Sequence, residues 1–485
     1  MMLNFLELSQ GGQQACEIAL RDSSPLQVES IVRRVANKRL VCRGVWNNRP
    51  VYAKIFIGDD AEKYALRDKR GVEWLIKAEI TTPALLSACT AKDGEAVVLI
   101  FQAIEKCENA EVFYASQLSQ ALRFDIAKKI VSEVAKLHTA NLLQTDLYLK
   151  NFLIKNERVY TLDGDGIRKY DKISKLQALE NLSVLLSKFD VLEIENWQSS
   201  LVRIYAEVRC WKTIPDLIGI KNLVNIHRIK VASQYAEKKV FRQCTDVKVH
   251  QQDNYFLAIS NYFSLKSLPK TSQDCDALIA SQQPIKSGNT CTVALVKIDT
   301  IRVVIKRYNI KSIGHHVSRA LRRTRAATSW ANAHRLKLLG IATATPVELI
   351  EQRYFGLRGK AYFLSEYIDA PDVAEFFLRT NDEKLRAETV INIANLFYRL
   401  YRLQISHGDM KASNIKIVDV APLLIDLDSM RQHQFTWAAL NAHVRDLQRF
   451  MRNWKESPAL YNGFVETFKE VYVDHQPLRL AHIVK

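Results

Sequence analysis

The segment SHGDMKASNIKIVDVAPLLIDLD, residues 406–428, carries the residue types that bind a metal ion and phosphate. Asp409 precedes Asn414 by five residues, and an apolar run then leads to Asp426 and Asp428. A tight loop would hold the first two residues together, and the end of the following strand would deliver Asp426 beside them. Carboxylate and amide oxygens are ligands that hard cations such as Mg²⁺ prefer. The segment therefore predicts a site for Mg²⁺ and a phosphate chain.

A second copy of this pattern occurs upstream, in HTANLLQTDLYLKNFLIKNERVYTLDGDG. Its polar residues each lie 263 residues before their counterparts, and they are Asp146, Asn151, Asp163 and Asp165. Solenoid repeats have periods of roughly 20 to 50 residues, so a repeat near half the chain length indicates duplication of a whole domain.

A lysine on a predicted strand precedes the Asp–Asn segment in each repeat. Lys54 lies in RPVYAKIF and Lys306 lies in IRVVIKRY, both short β-branched and apolar runs that are typical of strands. In kinases, a lysine on such a strand holds the α- and β-phosphates of the nucleotide. An ordinary solvated lysine is the alternative, but the presence of one lysine in each repeat favours the nucleotide role.

Both repeats show the same predicted order of elements: strands, a helix, further strands, and a helical segment that leads into the Asp–Asn loop. We place the helices at about 61–78, 313–339, 117–137 and 383–403, and later strands in AVVLIFQAI and KAYFLSEYI. This order predicts an α+β fold of two tandem bilobal protein-kinase-like domains, each with a small β-rich lobe and a helical lobe. We expect an N-terminal extension over 1–27, a divergent first domain over 28–242 and a second domain over 243–485.

The second repeat offers a full set of candidate catalytic residues. Asp409 fits the acceptor of the proton of an attacking hydroxyl, and Lys411 fits a contact with the γ-phosphate. Asn414 and Asp426 fit metal ligands, while Asp428 fits either a second ligand or a turn former. A polar turn between a helix and a strand is the alternative for the whole loop.

Two further nucleotide-binding residues rest on weaker signals. Gly288 lies in KSGNTCTVALVK, which fits a phosphate-binding loop but has no G-x-G-x-x-G and equally fits a hairpin. Glu366 lies in SEYI, at a strand end where a kinase hinge would offer backbone groups to adenine.

The helix predicted after Lys306 is basic and lacks an acid at the position where a partner of this lysine is expected. The first repeat does offer two acids for Lys54, namely Asp68 and Glu73. A solvated face and a docking surface for an anionic glycolipid or membrane leaflet both fit the basic cluster, since each basic residue near such a surface contributes roughly 1 kcal/mol. The cluster consists of Arg319, Arg322, Arg323 and Arg325.

Composition limits the classes of function. The formal net charge of +17 over 485 residues implies an anionic partner. Neither a long uncharged apolar run nor a signal-peptide pattern occurs, and the eight cysteines are scattered without a C-x-x-C pair. We therefore expect a cytoplasmic protein with reduced thiols. A nucleic-acid partner is not expected, because no recognised binding module occurs and the basic residues spread over both repeats.

These motifs resemble the lipopolysaccharide kinase (Kdo/WaaP) family, a branch of the protein-kinase-like superfold that phosphorylates sugars of the lipopolysaccharide inner core. The resemblance rests on VVIKRYN, SWANAHRLKLLGIATATP, FLSEYI, HGDMKASNI and LIDLD in the second repeat, and more loosely on VYAKIF, QTDLYLKNFLI and LDGDG in the first. It implies transfer from ATP, with Mg²⁺, to a hydroxyl of heptose or Kdo. It makes Asp409 the base, Lys306 the phosphate lysine and Asn414 and Asp426 the metal ligands. The implied first-repeat counterparts are Asp146, Lys54, Asn151 and Asp163.

The resemblance implies that the partner is the lipopolysaccharide core or its glycolipid precursor, met at the cytoplasmic face of the inner membrane by peripheral association. Two alternatives remain open. A pseudokinase pair that scaffolds core-assembly enzymes fits the missing helix acid, and the first repeat has Gln144 and Tyr148 in place of His407 and Lys411. A Ser/Thr protein kinase fits the D-x-K-x-x-N spacing at Asp409.

Overall fold

The computed structural model describes residues 4–11, 15–252, 254–282, 285–287, 291–308, 323–354 and 357–485. The chain divides into two compact units. The first extends to residue 189 and includes 193–225, and the second comprises 190–192 and 226–485. Residues 226–242, which the sequence assigned to the first domain, group with the second unit because Val240 lies in its core and accepts a hydrogen bond from Trp330 (3.0 Å).

An antiparallel sheet of six strands, in the order β1-β2-β3-β4-β6-β5, opens the first unit. The strands are β1 (Cys16–Ile18), β2 (Leu26–Val35), β3 (Arg39–Trp46), β4 (Arg49–Ile57), β5 (Leu85–Thr90) and β6 (Ala96–Gln102). Asn47 and Asn48 join β3 to β4 at positive φ, as tight two-residue hairpins require. Helix α1 (Phe5–Gln10) packs Phe5 and Leu8 into the core of this sheet, so the expected N-terminal extension takes part in the first unit.

Helix α2 (Ala61–Lys77) follows β4, and the rest of the first unit is mainly helical. Its helices are α3 (Ala110–Ser116), α4 (Gln120–Thr139), α5 (Lys175–Leu186), α6 (Val191–Val208) and α7 (Leu217–Glu237), the last of which crosses the division between the units. Its short strands are β7 (Glu108–Asn109), β8 (Leu142–Gln144), β9 (Phe152–Lys155), β10 (Arg158–Thr161) and β11 (Ile167–Lys169). Helix α4 buries Ile126, Ile130, Val134 and Leu137, whose spacing of three to four residues places them on one face.

The second unit also begins with an antiparallel sheet, whose described strands are ordered β12-β13-β17-β18-β16-β15-β14. They are β12 (Val247–Gln252), β13 (Tyr255–Ser260), β14 (Lys286–Ser287), β15 (Cys291–Ile298), β16 (Ile301–Tyr308), β17 (Pro346–Tyr354) and β18 (Leu357–Glu366). Helix α8 (Ser272–Ala280) precedes β14, and helix α9 (Arg325–Leu338) lies between β16 and β17 in the sequence.

A helical region completes the second unit. Its helices are α10 (Val373–Arg379), α11 (Glu383–Arg402), α12 (Thr436–Met451), α13 (Pro458–Val471) and α14 (Gln476–Leu480). Its short strands are β19 (Ile405–Ser406), β20 (Ile415–Val418), β21 (Ala421–Leu424) and β22 (Arg431–Gln432). Aromatic side chains pack edge to face in its core; for example, Phe464 contacts Phe450 with ring centroids 5.0 Å apart. This packing holds α11 and α12, which flank the Asp409 loop.

The internal repeat extends to the backbone. Helices α4 and α11 begin and end 263 residues apart. The same offset relates three pairs of residues with positive φ, which are Asn141 and Gln404, Asn156 and Asp419, and Asp163 and Asp426. Because non-glycine residues seldom adopt positive φ, matched positions of this kind show that the backbone turns in the same way at these three pairs of residues.

The expectation of an α+β class is confirmed by this mixture of helices and antiparallel sheets. Three of the four predicted helices correspond to α2, α4 and α11 within two or three residues at each end. The fourth was expected over 313–339 and is described as α9 from Arg325 onward, since 309–322 lie outside the described residues. Among the described helices, none has the length and apolarity needed to span a bilayer.

Candidate active site

The Asp409 loop connects β19 to β20 in the second unit. A 3₁₀ turn over Ala412–Asn414 brings Asn414 back toward Asp409. The Asn414 side-chain amide donates to the Asp409 carbonyl (2.8 Å) and to Asp409 Oδ2 (3.2 Å). Since Nδ2 is the donor, Asn414 Oδ1 remains as the oxygen for a cation. The Lys411 ammonium lies 3.7 Å from Asp409 Oδ2.

A buried carboxylate on α12 anchors the backbone of this loop. Asp446, which is 3% exposed, accepts the N–H groups of His407 (2.6 Å) and Gly408 (3.0 Å). Burial raises the pKa of Asp446, an effect that His407 and the two backbone donors oppose. Gly408 has φ +78°, and a Cβ there would lie 2.8 Å from the Ser429 carbonyl oxygen, so only glycine suits this close turn. The sequence analysis missed Asp446; an acid on the buried face of an amphipathic helix was the available signal.

The hairpin of β20 and β21 delivers Asp426 to the same place. The Ile425 N–H donates to the Asn414 carbonyl (3.0 Å), and His407 Nε2 donates to the Ile425 carbonyl (2.9 Å). Asp426 itself has φ +62°, a left-handed conformation that costs an L-residue on the order of 1 kcal/mol. The surrounding hydrogen bonds maintain this conformation, which turns the carboxylate toward Lys306.

Two carboxylates from one loop hold Lys306, which lies on β16. Its ammonium pairs with Asp426 Oδ1 and lies 3.2 Å from Asp428 Oδ2. Arg325, at the start of α9, donates to the same Asp428 oxygen (2.7 Å). Burial alone would lower the pKa of Lys306, but Tyr308 and the two carboxylates raise it above its ordinary value. Asp428 therefore pairs with Lys306 in place of the acidic residue that was expected, and not found, on helix α9.

Helix α9 contacts the loop through an amide. Asn332, which is 1% exposed, donates from Nδ2 to the carbonyls of Leu427 and Met430, both at 2.9 Å. Arg335 in turn donates to Asn332 Oδ1. These bonds fix the turn that contains Asp428, so its carboxylate faces Lys306.

In the first unit the lysine has a helix partner. Lys54 Nζ lies 2.5 Å from Asp68 Oδ2 and 3.0 Å from Asp163 Oδ1. The other candidate acid, Glu73, instead lies 3.9 Å from Lys69. Burial would lower the pKa of Lys54, but the two carboxylates raise it.

A pair of glycines explains why Asp68 can reach this lysine. A Cβ at Gly71 of α2 would lie 1.9 Å from the Gly164 carbonyl oxygen, so the helix and the loop are in backbone contact. In the second unit, the loop position that matches Gly164 is Leu427, which is buried. A side chain there prevents an equally close approach of the helix backbone.

Gln144 replaces His407 without changing the hydrogen bond that the position makes. Its Nε2 donates to the Leu162 carbonyl (3.0 Å), as His407 Nε2 does to Ile425. The Asn151 side chain also donates to the Asp146 carbonyl (2.7 Å), as Asn414 does to Asp409. The first-unit loop therefore keeps these two hydrogen bonds of the second.

Arginines surround the acids of the first unit. Arg39 lies 3.9 Å from Asp163 and 4.0 Å from Asp165, and Arg67 pairs with Asp165. Burial would raise the pKa of Asp163, but Lys54 and then Arg39 lower it. These cations therefore lie close to both carboxylates of the first-unit loop.

Tyr148, which replaces Lys411, supplies no cation at its position. The Lys188 ammonium lies 4.3 Å from the centroid of its ring, and burial raises the pKa of the Tyr148 hydroxyl.

Other predicted residues occupy less informative positions. Gly288, Arg319 and Arg322 lie outside the described residues. The Glu366 N–H donates to the Thr345 carbonyl (2.9 Å), so this N–H is already used within the sheet. Arg323 donates to the Glu237 carbonyl (2.9 Å), and with Arg325 bound to Asp428 neither residue is simply a solvated charge.

The donor set of the second unit fits Mg²⁺ rather than a metal held entirely by protein. Within the described parts of the chain, no group of three or more His, Cys, Asp or Glu side chains is placed to hold a metal ion. Mg²⁺ is usually bound through one or two carboxylates, substrate phosphates and water. Asn414 and Asp426 are the residues that would hold it.

Comparison with known proteins places this chain in a family of kinases. The sequence profile of the Lipopolysaccharide kinase (Kdo/WaaP) family matches residues 62–198 and 280–472, more than half of the chain. The chain belongs to the lipopolysaccharide kinase (Kdo/WaaP) family, which confirms the resemblance seen in the motifs.

Solved structures also match. One is described as "WaaP in complex with acyl carrier protein"; it is 15% identical, with 48% of this chain and 93% of that chain covered and a TM-score of 0.33. At this TM-score the similarity supports no conclusion about the fold or partners of the present chain. No curated protein matched the sequence.

Proposed function

We propose that this protein is an ATP-dependent kinase that phosphorylates a sugar, heptose or Kdo, of the lipopolysaccharide inner core. Family membership supports kinase chemistry. The observation that carries the proposal is the convergence of Asp409, Asn414 and Asp426 around one loop, with Lys306 paired to Asp426. These residues supply the base, the metal ligands and the phosphate lysine that phosphoryl transfer needs.

In the proposed mechanism, positioning and charge neutralisation provide most of the catalysis. Lys306 binds the α- and β-phosphates of ATP, and Lys411 contacts the γ-phosphate. Asn414 and Asp426 would hold Mg²⁺, which neutralises phosphate charge when bound. Asp409 orients the acceptor hydroxyl and takes its proton as the hydroxyl oxygen bonds to the γ-phosphorus and ADP leaves.

We propose that the two units are tandem bilobal kinase-like domains and that the second is the catalytic one. Arg39 and Arg67 neutralise Asp163 and Asp165 in the first unit, and these cations would compete with Mg²⁺. In the second unit, Lys306 is the only cation among the described residues that forms an ion pair with Asp426, while Arg325 pairs with Asp428 and acts on Asp426 from farther away, where it also lowers the pKa of the carboxyl. In this proposal the first unit is a pseudokinase that assists the second. The scaffold alternative then applies to the first unit alone.

The net charge supports the proposed acceptor and location. A net charge of +17 suits a glycolipid that bears phosphates and carboxylates, met at the cytoplasmic face of the inner membrane. Peripheral binding is sufficient for this encounter, because basic residues contribute attraction to an anionic surface without insertion into it.

The proposed function is tested by incubating the full-length chain with γ-labelled ATP and a core oligosaccharide whose heptose and Kdo hydroxyls are unmodified. We expect label in the sugar with Mg²⁺ and none after chelation with EDTA. A general protein substrate in parallel reactions tests the protein-kinase alternative. Label in the protein alone, or no Mg²⁺-dependent label in either acceptor, would overturn the proposal.

A further inference from the structure

A basic cavity lies beside the Asp409 loop in the second unit. Its volume is about 220 Å³, and we call it the arginine cavity. It is lined by the loop residues Ser406 and Gly408 and by Ala442, Arg445, Asp446, Arg449 and Arg452. Residues four and three apart lie on one helical face, so the three arginines point to the same side of α12 and of the turn after it.

The cavity has little negative charge to satisfy these arginines. Asp446 is the acid in its wall, and both of its oxygens accept backbone N–H groups of the Asp409 loop. Among the described residues, no carboxylate lies within ion-pair distance of Arg445 or Arg452. Both side chains are exposed. An excess of guanidinium groups around a concave space favours an anionic ligand.

Arg449 connects the cavity to the candidate base. It lines the cavity and also forms an ion pair with Asp409 Oδ1. The residues assigned to the nucleotide and metal, Lys306, Asn414 and Asp426, do not line the cavity. An anion bound there would therefore adjoin the base without being part of the phosphate chain that Lys306 holds.

We infer that the arginine cavity binds an anionic group of the acceptor, a phosphate or a carboxylate, and so places the acceptor hydroxyl at Asp409. Guanidinium groups recognise both anions with paired N–H donors, and they do so more specifically than ammonium groups. The cavity volume of about 220 Å³ is larger than the volume of several water molecules, each of which occupies about 30 Å³ in the liquid. The cavity can therefore hold a phosphate or a carboxylate group. Arg449 then contacts both the anion and Asp409. This inference rests on the proposed function for the nature of the acceptor.

Kinetics with two acceptors test the inference. The first is a core oligosaccharide that carries phosphate and Kdo carboxylates, and the second is the same oligosaccharide after dephosphorylation and reduction of its carboxylates. In the variants Arg445→Gln and Arg452→Gln, we expect the KM for the anionic acceptor to rise about tenfold, a loss of about 1.4 kcal/mol in binding. The KM for the neutral acceptor should stay within twofold of wild type, and kcat should change less than KM.

The matched control is Arg479→Gln, which removes an exposed arginine of α14 that does not line the cavity. Its KM for the anionic acceptor should equal that of wild type. An unchanged KM in both cavity variants would overturn the inference, and so would an equal rise for both acceptors or the same rise in the control.

Calorimetric binding of the anionic oligosaccharide, without nucleotide, separates this inference from the proposed function. We expect the wild type to bind it and the two cavity variants to bind it about tenfold more weakly, whether or not transfer is detected. If the oligosaccharide binds but no phosphoryl transfer occurs, the proposed function is contradicted, and the inference that the arginine cavity binds an anion stands. Displacement of the oligosaccharide by an equal concentration of inorganic phosphate would show a site for the free ion and overturn acceptor recognition. If the two cavity variants transfer phosphate and bind the oligosaccharide with wild-type affinity, the inference about the cavity is contradicted, but the proposed function is not.

Discussion

Lys306 is paired with Asp428, a residue of the same loop that presents Asp426, and not with an acid from the helix that follows its strand. The first unit has the alternative arrangement, in which Asp68 of α2 pairs with Lys54. Both arrangements place two carboxylates on one partly buried lysine. The two units therefore hold the strand lysine with acids from different elements.

Replacement of Asp428 by asparagine should lower phosphoryl transfer by tenfold or more, which corresponds to about 1.4 kcal/mol of transition-state stabilisation. Without this carboxylate, Lys306 and Arg325 lose a shared partner that is only 5% exposed, and the lysine is less firmly placed for the phosphates. Steady-state kinetics with Mg-ATP measure the change. Asp165→Asn in the first unit is the matched control, and an equal loss in both variants would contradict a specific role for Asp428.

Asparagine at position 409 should reduce kcat by roughly 10² to 10⁴, the usual contribution of a positioned general base. The affinity for Mg-ATP should remain close to that of wild type, because Lys306, Asn414 and Asp426 are unchanged. Equilibrium nucleotide binding and single-turnover transfer measure the two effects separately. Asp146→Asn serves as the control in the first unit, and turnover retained in Asp409→Asn would remove this residue from the base role.

The variant His407→Gln should keep most of its activity, within about fivefold of wild type, whereas His407→Ala should lose far more. Gln144 already makes the corresponding bond to Leu162 at 3.0 Å, so an amide can hold the carbonyl that precedes the metal-binding aspartate. Loss of that bond would leave a buried carbonyl unpaired, at a cost of about 1 to 3 kcal/mol. Activity of the two variants, with thermal melting to verify folding, tests the prediction; equal loss in both would show that the imidazole itself is required.

Acidification should destabilise the protein as the pH falls below about 6.5. Burial lowers the pKa of His138 to about 4, and the pKa of His334 and of His443 each to about 3, from an ordinary value of 6.5. Between these limits the unfolded chain binds more protons, so the stabilisation is fully present above pH 6.5 and is lost on acidification, by at most about 1.4 kcal/mol per pH unit for each histidine.

Denaturant unfolding at pH 7, 6 and 5 measures this dependence. The variant His443→Asn should be less stable at pH 7 because a buried ring contact with Tyr472 is lost. Its free energy of unfolding should nevertheless fall less steeply between pH 6 and 5 than that of wild type. Parallel pH dependences in the two proteins would show that His443 does not titrate in this way.

Features encoded by short spacing were predictable from the sequence. The Asp409–Asn414 pair, the strand lysines and the repeat depend on residues close in the chain or on a constant offset, and three pairs of positive-φ residues in the structure have the same offset. The α+β class followed from alternating runs of strand and helix pattern. The family assignment followed from the same motifs and was confirmed.

Features that depend on packing between distant elements were not predictable. The sequence left open whether Asp428 binds a cation or only forms a turn. The answer depends on Asn332 of helix α9, whose hydrogen bonds to Leu427 and Met430 hold the loop that contains Asp428. The Asp446 anchor and the Arg449 contact with Asp409 likewise depend on how α12 packs beside the loop. The division between the units falls near residue 225, within α7, where no break in composition marks it.

A comparison of Asp426→Ala with Asp163→Ala tests whether the second unit carries out phosphoryl transfer. Each removes the aspartate that would hold Mg²⁺ in one unit, and both residues have the same left-handed conformation. We expect Mg²⁺-dependent transfer to the core oligosaccharide to be abolished in Asp426→Ala and to remain within about threefold of wild type in Asp163→Ala. Loss of transfer in Asp163→Ala with transfer retained in Asp426→Ala would contradict the claim and assign catalysis to the first unit.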